Sequence, residues 1–94
     1  MRQSLKIIVS GKSLSAMFKQ YVKRHAEKLS IFGSVQKLEN DDAVIILTVG
    51  DSNNLDEFID YLYETSEDFE IHDVQVEPLV QKKNFRETFR IIGE

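Results

Sequence analysis

A short loop holds the residues best suited to bind an anion. Residues 11–15 follow a mostly apolar segment from Leu5 to Val9 and precede a segment with helical periodicity. A loop between a strand and a helix directs free backbone N–H groups and the positive end of the helix dipole at one point. Two lysines flank that point. We therefore predict an anion site formed by Lys12, Ser13, Leu14, Ser15, Ala16, Met17, Phe18 and Lys19.

The hydrophobic pattern predicts which elements position this loop. Helices are expected at 15–29 and from Asn54 to about residue 65, where Asn54 and Glu57 have the spacing of a capping box. Strands are expected at 5–10, 31–39, 43–49, 71–76 and 88–92, with a turn at 40–42 and a loop at 78–85. This order, βαββαβ with one short extra strand, predicts a ferredoxin-like α+β fold. In such a two-layer sandwich both helices lie on one face of an antiparallel sheet.

Length and composition restrict the class of protein. Ninety-four residues are too few for two cores, so residues 1–94 are expected to form a single domain. The chain has no cysteine, which excludes disulfides, thiol catalysis and cysteine-ligated metals. No apolar run approaches the roughly 18 residues that cross a bilayer, and the short run at 7–9 does not fit a signal peptide. We therefore expect a cytoplasmic protein with no membrane partner.

Charge is unevenly distributed along the chain. The net charge is −4, which argues against general nucleic-acid binding. Residues 1–40 carry eight Lys and Arg against two Glu, whereas residues 41–94 carry four Lys and Arg against fourteen Asp and Glu. The two balances are thus +6 and −10. This asymmetry indicates either a basic and an acidic pole or helices that each expose a charged face to solvent.

The loop resembles the signature of the acylphosphatase family. That signature reads valine, any residue, glycine, any residue, valine-glutamine-glycine-valine-glycine-phenylalanine-arginine. Three positions are kept at the same spacing: Val9, Gly11 and Phe18. Ser15 and Met17 stand where the family has glycines, and Lys19 stands where it has arginine.

The resemblance extends over nearly the whole chain. Residues 26–35 are similar to a family segment that reads alanine, two variable residues, leucine, glycine, an apolar residue, any residue, glycine, any residue, valine. Residues 43–50 resemble the third strand and its exit turn, 55–62 resemble the second helix, and 89–91 resemble the closing strand. The resemblance thus implies the same ferredoxin-like fold that the hydrophobic pattern predicts.

The resemblance also implies a chemistry, namely hydrolysis of an acyl–phosphate bond without metal or cofactor. In the family, the loop amides and the arginine hold the phosphoryl group, and an asparagine positions the attacking water. These two catalytic positions map to Lys19 and Lys37. Lysine lacks the planar fork of arginine, and a protonated lysine cannot accept a hydrogen bond as an amide does. Ser15 and Met17 resist the positive φ that glycine adopts freely.

We therefore expect an acylphosphatase-like protein that is weakly active or inactive toward acyl phosphates. Its loop would still bind a small anion such as phosphate or an acyl phosphate. One alternative is an active acylphosphatase that uses Lys19 and Lys37.

A second alternative is a ferredoxin-like module that binds RNA or protein. RNA readers of this topology stack bases on sheet aromatics, which are few here, so nucleic acid is disfavoured and a protein partner is left open. His25 and His72 lack carboxylates at ligand spacing, so no metal site is expected.

Overall fold

A computed structural model of the protein describes residues 2–12, 14–38, 42–79 and 87–93. Its elements are β1 (Arg2–Gly11), α1 (Ala16–Lys28), β2 (Phe32–Lys37), β3 (Ala43–Asp51), α2 (Ser52–Glu64), β4 (Ile71–Pro78) and β5 (Phe89–Ile92). Each predicted strand and helix is present, with ends that differ by up to three residues. The expected turn at 40–42 and loop at 78–85 lie mostly outside the described residues.

The strands form one mixed sheet in the order β4-β1-β3-β2-β5. The first four are antiparallel neighbours, as predicted, but β5 pairs with β2 in parallel. Pro78 at the end of β4 and Phe89 at the start of β5 lie in one row of paired residues across the sheet. Because the chain leaves β4 and enters β5 at the same end of the sheet, β5 must run in the direction of β2.

Both helices cover the same face of this sheet. Ile7 pairs with Ile46 and Val9 pairs with Val44, and all four side chains are inaccessible to solvent. They form one core with the apolar sides of α1 and α2. The hydrophobic periodicity predicts that six residues pack between the helices and the sheet: Phe18, Val22, Leu29, Val35, Phe58 and Leu62. Leu29 is partly buried, and the other five are fully buried. Burial of a phenylalanine such as Phe18 contributes about 1.5–3 kcal/mol.

The second helix begins two residues earlier than predicted. Asp51 is the N-cap, and its carboxylate accepts a hydrogen bond of 3.0 Å from the amide of Asn53. This bond lowers the pKa of Asp51 below its usual value. The predicted capping box of Asn54 and Glu57 is therefore wrong. Because β3 continues to Asp51 without a loop, the first available cap is the aspartate that ends the strand.

A left-handed residue ends the first helix. Ser30 has φ of 55°, and the amide of Ile31 donates a 2.9 Å hydrogen bond to the carbonyl of Ala26. The amide of Ser30 donates to the carbonyl of Glu27, which completes a Schellman motif. The acylphosphatase segment that resembles residues 26–35 has glycine at this position. Glycine is the residue that adopts this φ without a steric cost.

The two helices meet through stacked rings. His25 of α1 lies parallel to Tyr61 of α2, with ring centroids 3.6 Å apart and 10° between the ring planes. Burial lowers the pKa of His25 below its usual value of 6.5, and the Lys28 ammonium lowers it further. The carboxylates of Glu57 and Glu64 partly oppose that shift.

Replacing Ser30 by glycine should stabilise the protein. Ser30→Gly removes the cost of a left-handed serine, so we expect the free energy of unfolding to rise by about 0.5–1 kcal/mol. Thermal and urea unfolding measure the change. Ser30→Ala is the matched control and should give no gain, because alanine pays the same steric cost. A less stable Ser30→Gly variant would contradict this account of the helix end.

The stacked histidine should make stability depend on pH. Because the folded state lowers the pKa of His25, the unfolded chain binds more protons between that pKa and 6.5. The contribution of neutral His25 is complete above 6.5 and is lost as the pH falls through the folded pKa. We expect urea unfolding to show a steeper loss from about pH 7.5 to about pH 5.5 in the natural chain than in His25→Phe. Parallel curves for the two proteins would exclude this role.

Candidate functional site

The strands and the first helix converge on one end of the sheet. β1 ends there at Gly11 and β2 ends there at Lys37, while β3 starts just after Asp42. The amide of Gly11 donates a 2.8 Å hydrogen bond to the carbonyl of Asp42. A cavity of about 140 Å³, which we call the loop cavity, is lined by Gly11, Lys12, Leu14, Ser15, Lys37 and Asp42.

The N-cap side chain of α1 caps none of the amides in the first turn. Ser15 is the N-cap residue in an extended conformation, but its hydroxyl makes no capping hydrogen bond. The first turn contains no acidic residue. The helical ladder begins with the amide of Lys19, which donates to the carbonyl of Ser15, so the amides of residues 16–18 have no acceptor within the helix. Uncapped amides at a helix N-terminus favour an anion.

Lys19 lies in this first turn with its side chain largely buried. Only 7% of the residue is exposed. Among the described residues, its ammonium forms no ion pair, and no buried side-chain nitrogen lacks a hydrogen-bond partner. The Lys19 side chain therefore lies against the protein instead of extending into solvent. No carboxylate of residues 2–12, 14–38, 42–79 or 87–93 neutralises this cation close to the start of the helix.

The structure brings some of the predicted site residues together and separates others. Lys12, Leu14, Ser15 and Lys37 line the loop cavity. Four further residues of the predicted site do not line it, namely Ala16, Met17, Phe18 and Lys19. Ser13 lies outside the described residues.

Several loop positions serve packing or contacts within the protein. Leu14 and Phe18 are buried in the core, so they can meet an anion only through their backbone. Met17 is 63% exposed beside the loop. The amide of Lys12 is directed at the carbonyl of Glu70, 3.4 Å away, which leaves its exposed side chain as the group that can face a ligand.

Asp42 is the residue of the loop cavity that the sequence did not indicate. Its carboxylate is exposed beside two lysines, Lys12 and Lys37, and it opposes the binding of a second negative charge. The only sequence signal is that Asp42 precedes β3, whose first pair joins Ala43 to Ser10 at the end of β1. Knowledge of that register would have placed Asp42 next to the loop.

Comparison with known proteins identifies the family of this chain. The family model for acylphosphatase matches residues 5–91. The chain belongs to the acylphosphatase family. Among proteins with curated descriptions, none matches the sequence.

Solved acylphosphatases share the whole fold of this chain. An acylphosphatase from Bacillus subtilis has a TM-score of 0.84 and 25% identity, over 99% of this chain and 100% of that chain. An acylphosphatase from Coxiella burnetii has a TM-score of 0.82 and 23% identity, over 96% and 92% of the two chains. Full-length HypF, solved in a phosphate- and nucleotide-bound form, has a TM-score of 0.83 and 22% identity, over 99% of this chain and 12% of HypF. The last two likenesses show the fold alone.

The described part of this acylphosphatase-family chain lacks two other features. There, no cluster of three or more His, Asp or Glu side chains could hold a metal ion. Neither described helix is long and apolar enough to cross a membrane.

Neutralising Asp42 should strengthen the binding of inorganic phosphate. Asp42→Asn removes a negative charge from the loop cavity and keeps the carbonyl that accepts from Gly11. We expect the Kd for phosphate to fall by up to about 5-fold, the range of one exposed charge interaction. Titration followed by amide NMR or calorimetry measures it.

The matched control is Asp56→Asn, which changes the net charge equally. Asp56 is exposed near the start of α2, and α2 begins at the opposite end of the sheet. The control should leave the Kd unchanged. An equal effect of both substitutions would show that only the net charge matters.

Proposed function

We propose that residues 1–94 form one acylphosphatase-like domain that binds a small phosphate-type anion at the start of α1 and hydrolyses acyl phosphates weakly or not at all. The observation that carries the proposal is the position of Lys37. It lines the loop cavity, and the family resemblance maps it to the asparagine that orients water. A cation therefore replaces the hydrogen-bond acceptor that hydrolysis needs, while the groups that attract an anion remain.

The binding half of the proposal rests on charge and on the uncapped helix. The amides of residues 16–18 have no helical acceptor, and no carboxylate lies in the first turn of α1. Lys12 and Lys37 add positive charge in the loop cavity, and Asp42 offsets part of it. The contrast with α2, where the Asp51 carboxylate caps the first turn, supports α1 as the anion-binding terminus.

The hydrolytic half rests on what the reaction requires. Water must attack phosphorus in line while the bond between phosphorus and the acyl oxygen breaks; a carboxylate leaves, and the proton of the water passes to solvent. Positioning and charge stabilisation supply most of the catalysis in such phosphoryl transfers. The ammonium of Lys19 binds a phosphoryl oxygen as a point charge, whereas the planar guanidinium of an arginine binds two oxygens at once. Protonated Lys37 accepts no hydrogen bond from water. Removing one positioned donor costs about 10²–10³ in rate, so several losses together leave little turnover.

One observation favours a second function, an active acylphosphatase based on lysine. Lys19 is largely buried in the first turn of α1 and forms no ion pair among the described residues, so a cation that they leave unneutralised lies close to the start of the helix. Such a lysine could stabilise the charge that develops on the phosphoryl oxygens. The cytoplasm is the expected location under either function.

Hydrolysis rates of designed variants distinguish the two functions. We expect the natural chain to hydrolyse a simple acyl phosphate at close to the uncatalysed rate. Lys19→Arg with Lys37→Asn restores the fork and the amide and should raise the initial rate. Adding Ser15→Gly and Met17→Gly should raise it further, because glycines let the backbone approach the phosphoryl group.

Two further outcomes distinguish a site that has lost catalysis from a site that catalyses hydrolysis with lysine. Robust turnover by the natural chain that Lys19→Ala abolishes would establish the lysine-based enzyme. A quadruple variant that folds correctly but gains no activity would mean that catalysis has been lost at further positions. Circular dichroism of each variant confirms that its fold is intact.

A further inference from the structure

The two helices present opposite charges on the side that faces away from the sheet. The exposed residues of α1 include Arg24 and Lys28, with Glu27 between them. Those of α2 include Asp56, Glu57, Asp60 and Glu64, and α2 contains no lysine or arginine. Because both helices cover one face of the sheet, the outer side of the helix layer is basic along one half and acidic along the other.

Apolar side chains are exposed within the same layer. Of the five large apolar side chains that are exposed among the described residues, three lie on the helices: Met17 at 63%, Tyr21 at 43% and Tyr63 at 55%. Met17, Gln20, Tyr21 and Arg24 also line a cavity of about 170 Å³. Exposed aromatic residues beside charges are typical of protein interfaces.

The stacked rings of His25 and Tyr61 show which residues of the two helices lie at the same height, that is, at the same position along the direction of the helix axes. Arg24 and Asp60 each precede one of these rings by one residue, so they lie at a similar height on their own helices. One turn toward the end of α1, Lys28 lies at about the height of Asp56 and Glu57 on α2. One turn toward the start of α1, Tyr21 lies near the height of Tyr63 on α2.

We propose that two copies of this chain associate through their helix layers, with α1 of each copy lying on α2 of the other. A twofold axis parallel to the helices keeps every residue at its height and exchanges α1 with α2. Arg24 then faces Asp60 of the second copy, Lys28 faces its Asp56, and Tyr21 faces its Tyr63. A twofold axis that is perpendicular to the helices but lies in the plane of the layer would instead place α1 on α1 and α2 on α2. Like charges would then face each other.

The size of the surface predicts a weak dimer. Each helix has 13 residues, so it is roughly 20 Å long. Two such helices about 10 Å apart offer on the order of 400 Å² per copy, or 800 Å² in total, which is below the 1,200 Å² of stable interfaces. The dimer should therefore form only at high protein concentration and weaken as salt screens its ion pairs.

Sedimentation velocity of charge-reversed variants tests the proposal. The first variant, Arg24→Glu with Lys28→Glu, makes both helices acidic. The second, Asp56→Lys with Asp60→Lys, makes both helices basic at these heights. We expect the natural chain to dimerise reversibly between about 10 μM and about 1 mM at low salt, and each variant alone to stay monomeric.

Mixing the two variants gives the decisive result. An acidic layer on a basic layer forms both contacts at once, so the mixture should form a heterodimer. Arg90→Glu, an exposed charge reversal on β5 outside the helix layer, is the control and should dimerise as the natural chain does. A natural chain that stays monomeric at about 1 mM and low salt overturns the proposal, as do variants that dimerise unchanged, a mixture that does not associate, or open-ended growth beyond a dimer. Circular dichroism of every variant confirms folding.

Discussion

The close approach of two strands at Gly11 is the constraint on which the site depends. A Cβ atom at this position would lie 2.7 Å from the carbonyl oxygen of Glu70, so only glycine fits without displacing the backbone. The Gly11 amide is bonded to Asp42, and the next amide, that of Lys12, points at Glu70. The end of β1 is thus fixed between the residues that directly precede β3 and β4, Asp42 and Glu70. The loop and α1 start from that fixed point.

Aromatic packing then holds the start of α1 in place. Phe18 is fully buried and meets the ring of Phe69 edge-on, with centroids 5.1 Å apart. Tyr21, one turn later, packs against the same ring. These contacts orient the first-turn amides whatever side chains stand at 15, 17 and 19. The fold can therefore persist while the groups that perform hydrolysis change, because the two depend on different atoms.

The sequence predicts the fold well where hydrophobic periodicity decides the outcome. The residues of β1, α1 and β3 alternate or recur as buried elements require. Other features depend on tertiary geometry. The direction of β5 follows from the end of the sheet at which β4 stops, and the proximity of Asp42 follows from strand register. Asp51 became the cap of α2 because β3 runs further than its apolar residues indicate, so local capping preference at Asn54 was overridden.

In the function proposed above, the start of α1 binds a phosphoryl group without turning it over. Amide NMR spectra of the natural chain, recorded during addition of a simple acyl phosphate, test binding and turnover in one sample. We predict saturable shifts of the amides of Ala16, Met17 and Phe18, none at Asn53 where the Asp51 carboxylate caps α2, and an acyl phosphate that decays at its uncatalysed rate. Absence of shifts at the start of α1, or rapid loss of the acyl phosphate, would contradict the account.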